Sequence, residues 1–381
     1  MTIDDGWTVH NLGDLISLVT AGVDPSELDG VPYVGLEHIE SGEVSLRRWA
    51  DPSKVRSRKT LFQEGDILYG KLRPYLDKAI LADRAGICST DILVFRPKQH
   101  VDPFFLVGLL HTKPFIQYAV ATSTGVNHPR TSWNALRRYR VPLPPLPEQR
   151  AIARVLWTVQ RAKEATEQVI AAARELKKSL MRHLLPDPLA YPMRSLAEVA
   201  DIIMGQSPPG SSYASSGDGV PFLQGAAEFG DEHPTPTKVT TAPRKLVPKD
   251  AVLIAVRAPV GKTNIADRDY CIGRGLAAVI ATDESDARFI RYWLDETRAL
   301  LRSQSTGSTF KAIRKRVLEE HLFPDMSVGF QREIATRIST VDRKIAAEEA
   351  YRDALATLFD SLLHDLMTAK LRVADSIPEA V

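Results

Sequence analysis

The sequence predicts an α+β chain written twice: two mixed α/β domains, each running into a long helix, with the two helices pairing along an apolar seam. Three observations carry this. A long segment recurs without a gap at a fixed offset, each copy opens on short apolar runs punctuated by Gly and Pro, and each closes on a long stretch free of helix breakers.

The repeat is clearest after residues 141 and 323. Pro142 pairs with Pro324, Gln149-Arg150 with Gln331-Arg332, Ile152 with Ile334, Val159 with Val341, Arg161 with Arg343 and Ser179-Leu180 with Ser361-Leu362, each 182 apart (334 − 152). Ser123-Thr124-Gly125 and Ser305-Thr306-Gly307 keep that offset. Farther upstream it becomes 184, where Asp66, Arg73 and Lys78 meet Asp250, Arg257 and Lys262, and Val31-Pro32-Tyr33 loosely meets Val220-Pro221-Phe222. Such a period far exceeds the roughly 20–50 residues of solenoid arrays, so the unit of duplication is a domain plus its helix.

Within each copy DILYG, DILVF, AVLIAV and LAAVIA read as strands, and PFFLVGLLHT and ARFIRYWLDETRALLRS as short helices. After Pro147, which suits a helix's first turn, no Gly or Pro occurs until Pro186. Ile152, Val155, Val159, Ala162, Thr166, Val169, Ala173, Leu176 and Leu180 recur there at steps of three and four, the spacing of a heptad seam. The second helix offers Ile334, Ile338, Val341, Ile345, Leu355, Phe359, Leu362 and Leu366 on one stripe. The expected boundaries are domains at 1–146 and 186–328, helices at 147–185 and 329–371, and a tail without regular structure at 372–381.

With 381 residues and 44% hydrophobic content the chain can bury substantial cores. No apolar run approaches bilayer-spanning length and no signal-peptide pattern opens the chain, so a soluble cytoplasmic protein without membrane contact is expected. Cys88 and Cys271 lack metal or redox spacing and read as small buried hydrophobes of a reducing compartment. A net charge of +2 says little about nucleic acid, but basic residues cluster. Residues 44–60 hold Arg47, Arg48, Lys54, Arg56, Arg58 and Lys59 against Asp51, residues 130–140 hold four arginines and no acid, and residues 311–316 read KAIRKR.

Three motif-like strings fail on inspection. Gly261-Lys262-Thr263 lacks the glycine a phosphate loop needs at position 256, which is Val256. Gly273-Arg274-Gly275 runs into a strand-like LAAVIA rather than the helix a dinucleotide site requires. Glu319-Glu320-His321 has no second histidine at helical spacing. Asn127-His128-Pro129 lacks the second proline of an amino-methyltransferase motif, and no G-x-S-x-G turn is present, so two duplicated domains without a catalytic constellation point to binding.

Pro142-Leu143-Pro144-Pro145-Leu146-Pro147-Glu148-Gln149-Arg150, running into a long helix, resembles the signature that closes each target-recognition domain in specificity subunits of type I restriction-modification systems. Arg257-Ala258-Pro259-Val260-Gly261, Cys271-Ile272-Gly273-Arg274-Gly275-Leu276 and the run from Ser305 to Phe310 are similar to blocks of the same family. The likeness covers nearly the whole chain. It departs at Phe323–Gln331, where the proline-rich signature has decayed, and at Leu72-Arg73-Pro74-Tyr75, which stands where the second half has R-A-P-V-G.

The resemblance implies two target-recognition domains at opposite ends of an antiparallel helical pair, related by a pseudo-two-fold axis, that read an asymmetric bipartite site on double-stranded DNA. Methyl transfer and cleavage would belong to separate modification and restriction subunits, S-adenosylmethionine to the former and ATP and Mg²⁺ to the latter, with no cofactor or metal on this chain. Three rivals remain: the specificity chain of a related complex with fused cleavage and methylation, an undetected nuclease or methyltransferase, and a coiled-coil scaffold without a DNA role.

Base edges are read by Arg, Lys, Asn, Gln, Ser and Thr on Gly-supported loops, while other basic groups fix phosphates. The candidates in the first domain are Lys71, Arg73, Tyr75, Lys78, Thr124, Asn127, His128 and Arg130. In the second they are Gln206, Ser207, Arg257, Lys262, Thr306, Ser308, Thr309 and Lys311. Pro144, Pro145, Leu146 and Gln149, where the first helix begins, are the candidates for docking the modification subunit, by analogy with the family.

Overall fold

The structure, a computed structural model, describes residues 6–25, 28, 30–187, 190–304 and 312–373. It divides into unit 1, residues 1–166 with 350–381, and unit 2, residues 167–349. Residues 374–381 of the expected tail lie outside the described residues.

Unit 1 has an inner sheet of Ile16–Val19, Ile92–Pro97, Ile67–Gly70 and Ala79–Leu81, in that order and all antiparallel. Its outer sheet orders Gly22–Val23, Lys59–Phe62, Gly86–Cys88 and Tyr33–Val34, the last two parallel. Ile67, Tyr69 and Phe95 point into a core shared with the helices, while Leu68, Ile92 and Val94 point into a second core shared with the outer sheet. Burial on both faces explains why DILYG and DILVF read as unbroken apolar runs rather than alternating ones.

Unit 2 repeats this plan. Ala200–Met204, Leu276–Ala281, Val252–Ala255 and Thr263–Ile265 form the inner sheet in the same order. Val252, Ile254, Ala277 and Val279 face the helices, and Leu253, Ala255, Leu276 and Ala278 face the outer sheet. The outer sheet keeps the parallel pair, Phe222 opposite Cys271 as Tyr33 is opposite Ile87, and adds Tyr213–Ala214 and Lys238–Thr240 at its edge.

One sequence pairing shifts. Ile67 lies opposite Leu81 where Val252 lies opposite Ile265, so this strand is offset by 185 (252 − 67), and the connector that follows is one residue shorter in unit 2. Ala251, not Asp250, is the counterpart of Asp66: Ala82 N donates to Asp66 O as Ala266 N donates to Ala251 O, 2.9 Å each. Likewise Leu72, not Arg73, corresponds to Arg257, since both make the equivalent isolated bridge. Asp66 is buried and held by both arms of Arg96 at 2.8 Å; the position of Arg96 in the repeat is Ile280.

The long helices are Leu146–Leu184 and Val328–Met367. In unit 1 the start of the first shares a core with the end of the second, through Ile152, Ala153 and Leu156 and through Phe359, Leu363, Leu366 and Met367. In unit 2 Lys177 pairs with Asp342 at 2.6 Å and Arg174 with Glu349 at 2.5 Å, an antiparallel register. The stripe expected on the second helix holds: Ile334, Ile338, Leu355, Phe359 and Leu366 are buried. The first helix needs correction. Ile152 and Thr166 are buried as expected and Val155 and Val159 pack on the unit 1 core, but Val169 and Leu176 are exposed, and the buried line also takes in Leu156, Gln160, Ile170 and Met181. Gln160 and Lys163 hid that line by being polar; in the fold both reach Glu43, and Gln160 also reaches Glu164.

His321 fills the position of Tyr139, and both carbonyls accept a backbone N–H at 2.9 Å, from Leu196 and Leu12. Its ring is buried, with Nε2 2.8 Å from Thr297 Oγ1 and Nδ1 without a partner among the described residues. Burial depresses the imidazole from 6.5 to about 4. The unfolded chain therefore takes up its proton first as pH falls. Stability from this group is intact above about pH 6.5 and is lost between there and about pH 4, by roughly 3 kcal/mol. Urea midpoints at pH 7 and pH 4 check this: His321→Gln should lose distinctly less stability over that interval than the parent.

Candidate nucleic-acid interface

At one end of unit 1's inner sheet the connector 71–78 meets the loop 124–130. Lys71 N donates to Asp91 O (2.9 Å), Thr131 N to Lys71 O (3.0 Å) and Arg73 N to Pro129 O (2.7 Å). Thr124 and Arg130 exchange two backbone bonds of 2.9 Å that close the loop. Gly125 turns it at φ +96°, and a Cβ there would sit 3.1 Å from His128 O, so the turn needs glycine. Arg73 and Asp77 adopt left-handed backbone on either side of Pro74–Leu76, and this turn presents Tyr75 to solvent.

All eight sequence candidates in unit 1 are thus on two adjoining segments. Arg73 Nη2 is 3.2 Å from His128 Nδ1, and Arg130 Nε donates to Asp91 Oδ1 at 3.1 Å, which fixes the guanidinium beside the loop. Thr124, Asn127 and His128 are exposed around the tip residue Val126. Lys78 faces inward instead: Nζ donates to Leu36 O at 2.6 Å, and Lys262 does the same to Phe229 O at 2.9 Å. These two lysines brace one sheet against a turn of the other in both units.

Unit 2 builds the same sheet end with different side chains. Val256 N donates to Gly275 O and Ile313 N to Val256 O, 2.9 Å each, repeating the bonds of Lys71. The loop carrying Gln206 and Ser207 crosses the turn at 273–275 so closely that a Cβ on Gly205 would lie 2.1 Å from Gly273 O, and one on Gly275 2.5 Å from Gln224 O. The glycines that imitated a cofactor motif serve this crossing, and Leu276–Ala281 continues as strand. Ser207 Oγ accepts from Arg274 N at 3.4 Å.

Gln206, Arg257 and Arg274 are exposed at this end, and neither guanidinium has an ion pair or hydrogen bond among the described residues. The sequence candidates omitted Arg274; an arginine framed by two glycines in the block Gly273-Arg274-Gly275 was the available signal. Thr306, Ser308, Thr309 and Lys311 lie outside the described residues.

Other basic residues are occupied elsewhere. Arg47 pairs with Glu43 and Glu164, Arg48 with Glu40, and buried Lys59 donates to Ser57. In Gly261-Lys262-Thr263, Lys262 holds a carbonyl and Thr263 donates to Asp295 Oδ1 at 2.8 Å, so the string belongs to the fold. Burial pushes the Cys88 thiol up to about 12.

The docking candidates divide. Pro145 is exposed and Leu146 half-buried, but Pro144 and Gln149 are buried. Gln149 Oε1 accepts from Asp102 N (2.9 Å), while Nε2 donates to Pro144 O (2.9 Å) and His100 O (3.3 Å). Gln331 repeats this with Asp286 N (3.0 Å), Met326 O (3.0 Å) and Glu284 O (3.1 Å). Asp102 and Asp286 in turn cap the helices Pro103–Leu110 and Ala287–Glu296. The expectation that Gln149 meets a partner is corrected: its amide is saturated within unit 1, stapling the long helix to the domain.

Among the described residues no single helix is long and apolar enough to cross a membrane. The family described as type I restriction modification DNA specificity domain matches the chain twice, at residues 4–174 and 188–356. A Methanocaldococcus jannaschii protein described as the specificity subunit of the type I restriction enzyme MjaX is 29% identical over 97% of this chain and 95% of that one. A solved chain from work on complex assembly and conformational transition of the type I restriction-modification system is 30% identical, covers 97% of this chain and 100% of that one, and has a TM-score of 0.59. The type I S subunit from M. genitalium, 16% identical over 96% of this chain and 98% of that one, shares the fold with a TM-score of 0.65. Two matching domains, two duplicated sheet ends and relatives aligned along nearly their full length lead to one conclusion: the chain belongs to the type I restriction-modification DNA specificity family, as a non-catalytic recognition subunit.

Proposed function

We propose that the chain reads an asymmetric, two-part site on double-stranded DNA, one half-site per unit. One observation carries this reading: the same sheet end is built in both units but armed differently, with Arg73, Asn127, His128 and Arg130 in one and Gln206, Arg257 and Arg274 in the other. Equal scaffolds with unequal side chains suit unequal half-sites.

Modification chains dock on the long helices. Val169, Ala172 and Leu176 form an exposed stripe in unit 2, and their repeat mates Tyr351, Ala354 and Leu358, each 182 later (351 − 169), form the same stripe in unit 1. Duplicate apolar stripes suit two copies of one partner. Restriction chains join that assembly. S-adenosylmethionine, ATP and Mg²⁺ reside on the partner chains, and the complex works in the cytoplasm, where it meets DNA.

Paired substitutions test the division of labour. Arg73→Ala with His128→Ala should cost about 1–3 kcal/mol for each base edge no longer read and relax one half-site, and Arg257→Ala with Arg274→Ala should relax the other. Binding selections on randomised duplexes read this out, and relaxation of the same half-site by both pairs would overturn the assignment.

A further inference from the structure

The arginine run at 130–140 is only partly used at the reading end. Arg137, Arg138 and Arg140 are exposed, and no described residue forms an ion pair or side-chain hydrogen bond with them. Arg137 and Arg138 line an open cleft of about 450 Å³ with Asn11, Asp14, Trp133 and Asn134. Gly13 shapes it: its N–H donates to Arg137 O at 3.0 Å, and a Cβ there would press on Arg137 Cβ at 3.1 Å. The one carboxylate in the cleft, Asp14, accepts the Asn11 N–H at 3.2 Å.

We propose that this cleft binds backbone phosphates of duplex DNA just outside the first unit's half-site, and that unit 2 has no equivalent grip. The proposal rests on the recognition reading above. The short helix Trp133–Leu136 leads from Thr131, which is bonded to Lys71 at the reading end, to the cleft, which lies beside Leu15 and Ile16 at the other end of the inner sheet. Arginine and asparagine side chains are the donors that phosphate oxygens take.

The repeat supplies the contrast. Tyr139 and His321 occupy equivalent positions 182 apart (321 − 139), so Arg137 and Arg138 correspond to Glu319 and Glu320, and Gly13 to Ala197. The two glutamates are tied to Lys315 at 2.9 Å and Arg316 at 2.7 Å. The two unpaired arginines of unit 1 are thus replaced in unit 2 by ion pairs whose charges cancel, so DNA bound across both half-sites is held by more phosphates on the first unit's flank.

The test is the salt dependence of binding by the full chain to a duplex carrying the site found from host methylation. Each phosphate contact contributes about 0.9 to the slope of log affinity against log salt. Arg137→Gln with Arg138→Gln should lower that slope by about 2, so that between 50 and 200 mM salt affinity falls about tenfold less than in the parent, with the recognised motif unchanged. Glu319→Gln with Glu320→Gln should leave the slope as it is. Trimming the duplex at the edge of the first half-site should lower the parent's slope equally and leave the arginine variant nothing further to lose. An unchanged slope in a variant that still binds overturns the phosphate cleft, as does an unchanged slope with weakened partner assembly, which would mark the face as a protein contact. A parent chain that binds no DNA would overturn the recognition reading itself.

Discussion

Replacing Gln149 with alanine is expected to destabilise unit 1 by about 3–5 kcal/mol, the largest effect of any single substitution outside the apolar cores. The amide is 1% exposed and satisfies three backbone groups at once: the Asp102 N–H and the Pro144 and His100 carbonyls. Alanine leaves all three without this partner, the Pro144 carbonyl buried and the Asp102 N–H and His100 carbonyl part-buried, at up to roughly 1–3 kcal/mol each, and removes the tie between the long helix and the capping loop of Pro103–Leu110. Glutamate would keep the accepting oxygen but lose both donations and face two carbonyls with a buried anion, so Gln149→Glu should cost at least as much. Four of the five tryptophans, Trp7, Trp49, Trp133 and Trp157, lie in unit 1 and Trp293 in unit 2, so urea unfolding followed by tryptophan fluorescence reports mainly on the right unit. An unchanged midpoint in the alanine variant would show that the staple is dispensable. Gln331→Ala should act in the same way on unit 2, read by proteolysis of that unit.

How much of this was legible beforehand depended on whether the signal was local. The duplication, the paired long helices and the stripe Ile334, Ile338, Leu355, Phe359 and Leu366 were readable because apolar spacing alone defines them. So was the contribution of 71–75 and 124–130 to one site, although only the fold brings Arg73 to His128. The seam of the first helix was read in part, missing Gln160, because Gln160 and Lys163 look solvent-facing until Glu43 arrives from a strand-rich segment more than a hundred positions away. Gln149 looked like a surface residue for the same reason, its three partners being backbone groups that sequence does not display. Arg274 was passed over because the glycines beside it matched a cofactor pattern, whereas their use is the crossing of two loops that leaves no room for a Cβ.

Exchange of residues 1–141 for the first domain of another family member is expected to change one half of the methylated motif completely and leave the other half intact. The physical basis is the division of the reading residues. Every described candidate of the first set, from Lys71 to Arg130, lies within the exchanged segment, while Gln206, Ser207, Arg257 and Arg274 lie outside it on a sheet with its own two cores. The exchange point falls in the strand Arg140–Leu143, which pairs with Thr8–Asn11 inside the same domain, and the Gln149 staple downstream needs only main-chain partners from the incoming loop. Sequencing the methylome of a host carrying the parent or the chimaera therefore tests the central claim most directly. The account predicts two motifs that share the half-site read by unit 2 and differ in the other; a chimaera whose motif changes in both halves, or in neither, would contradict it.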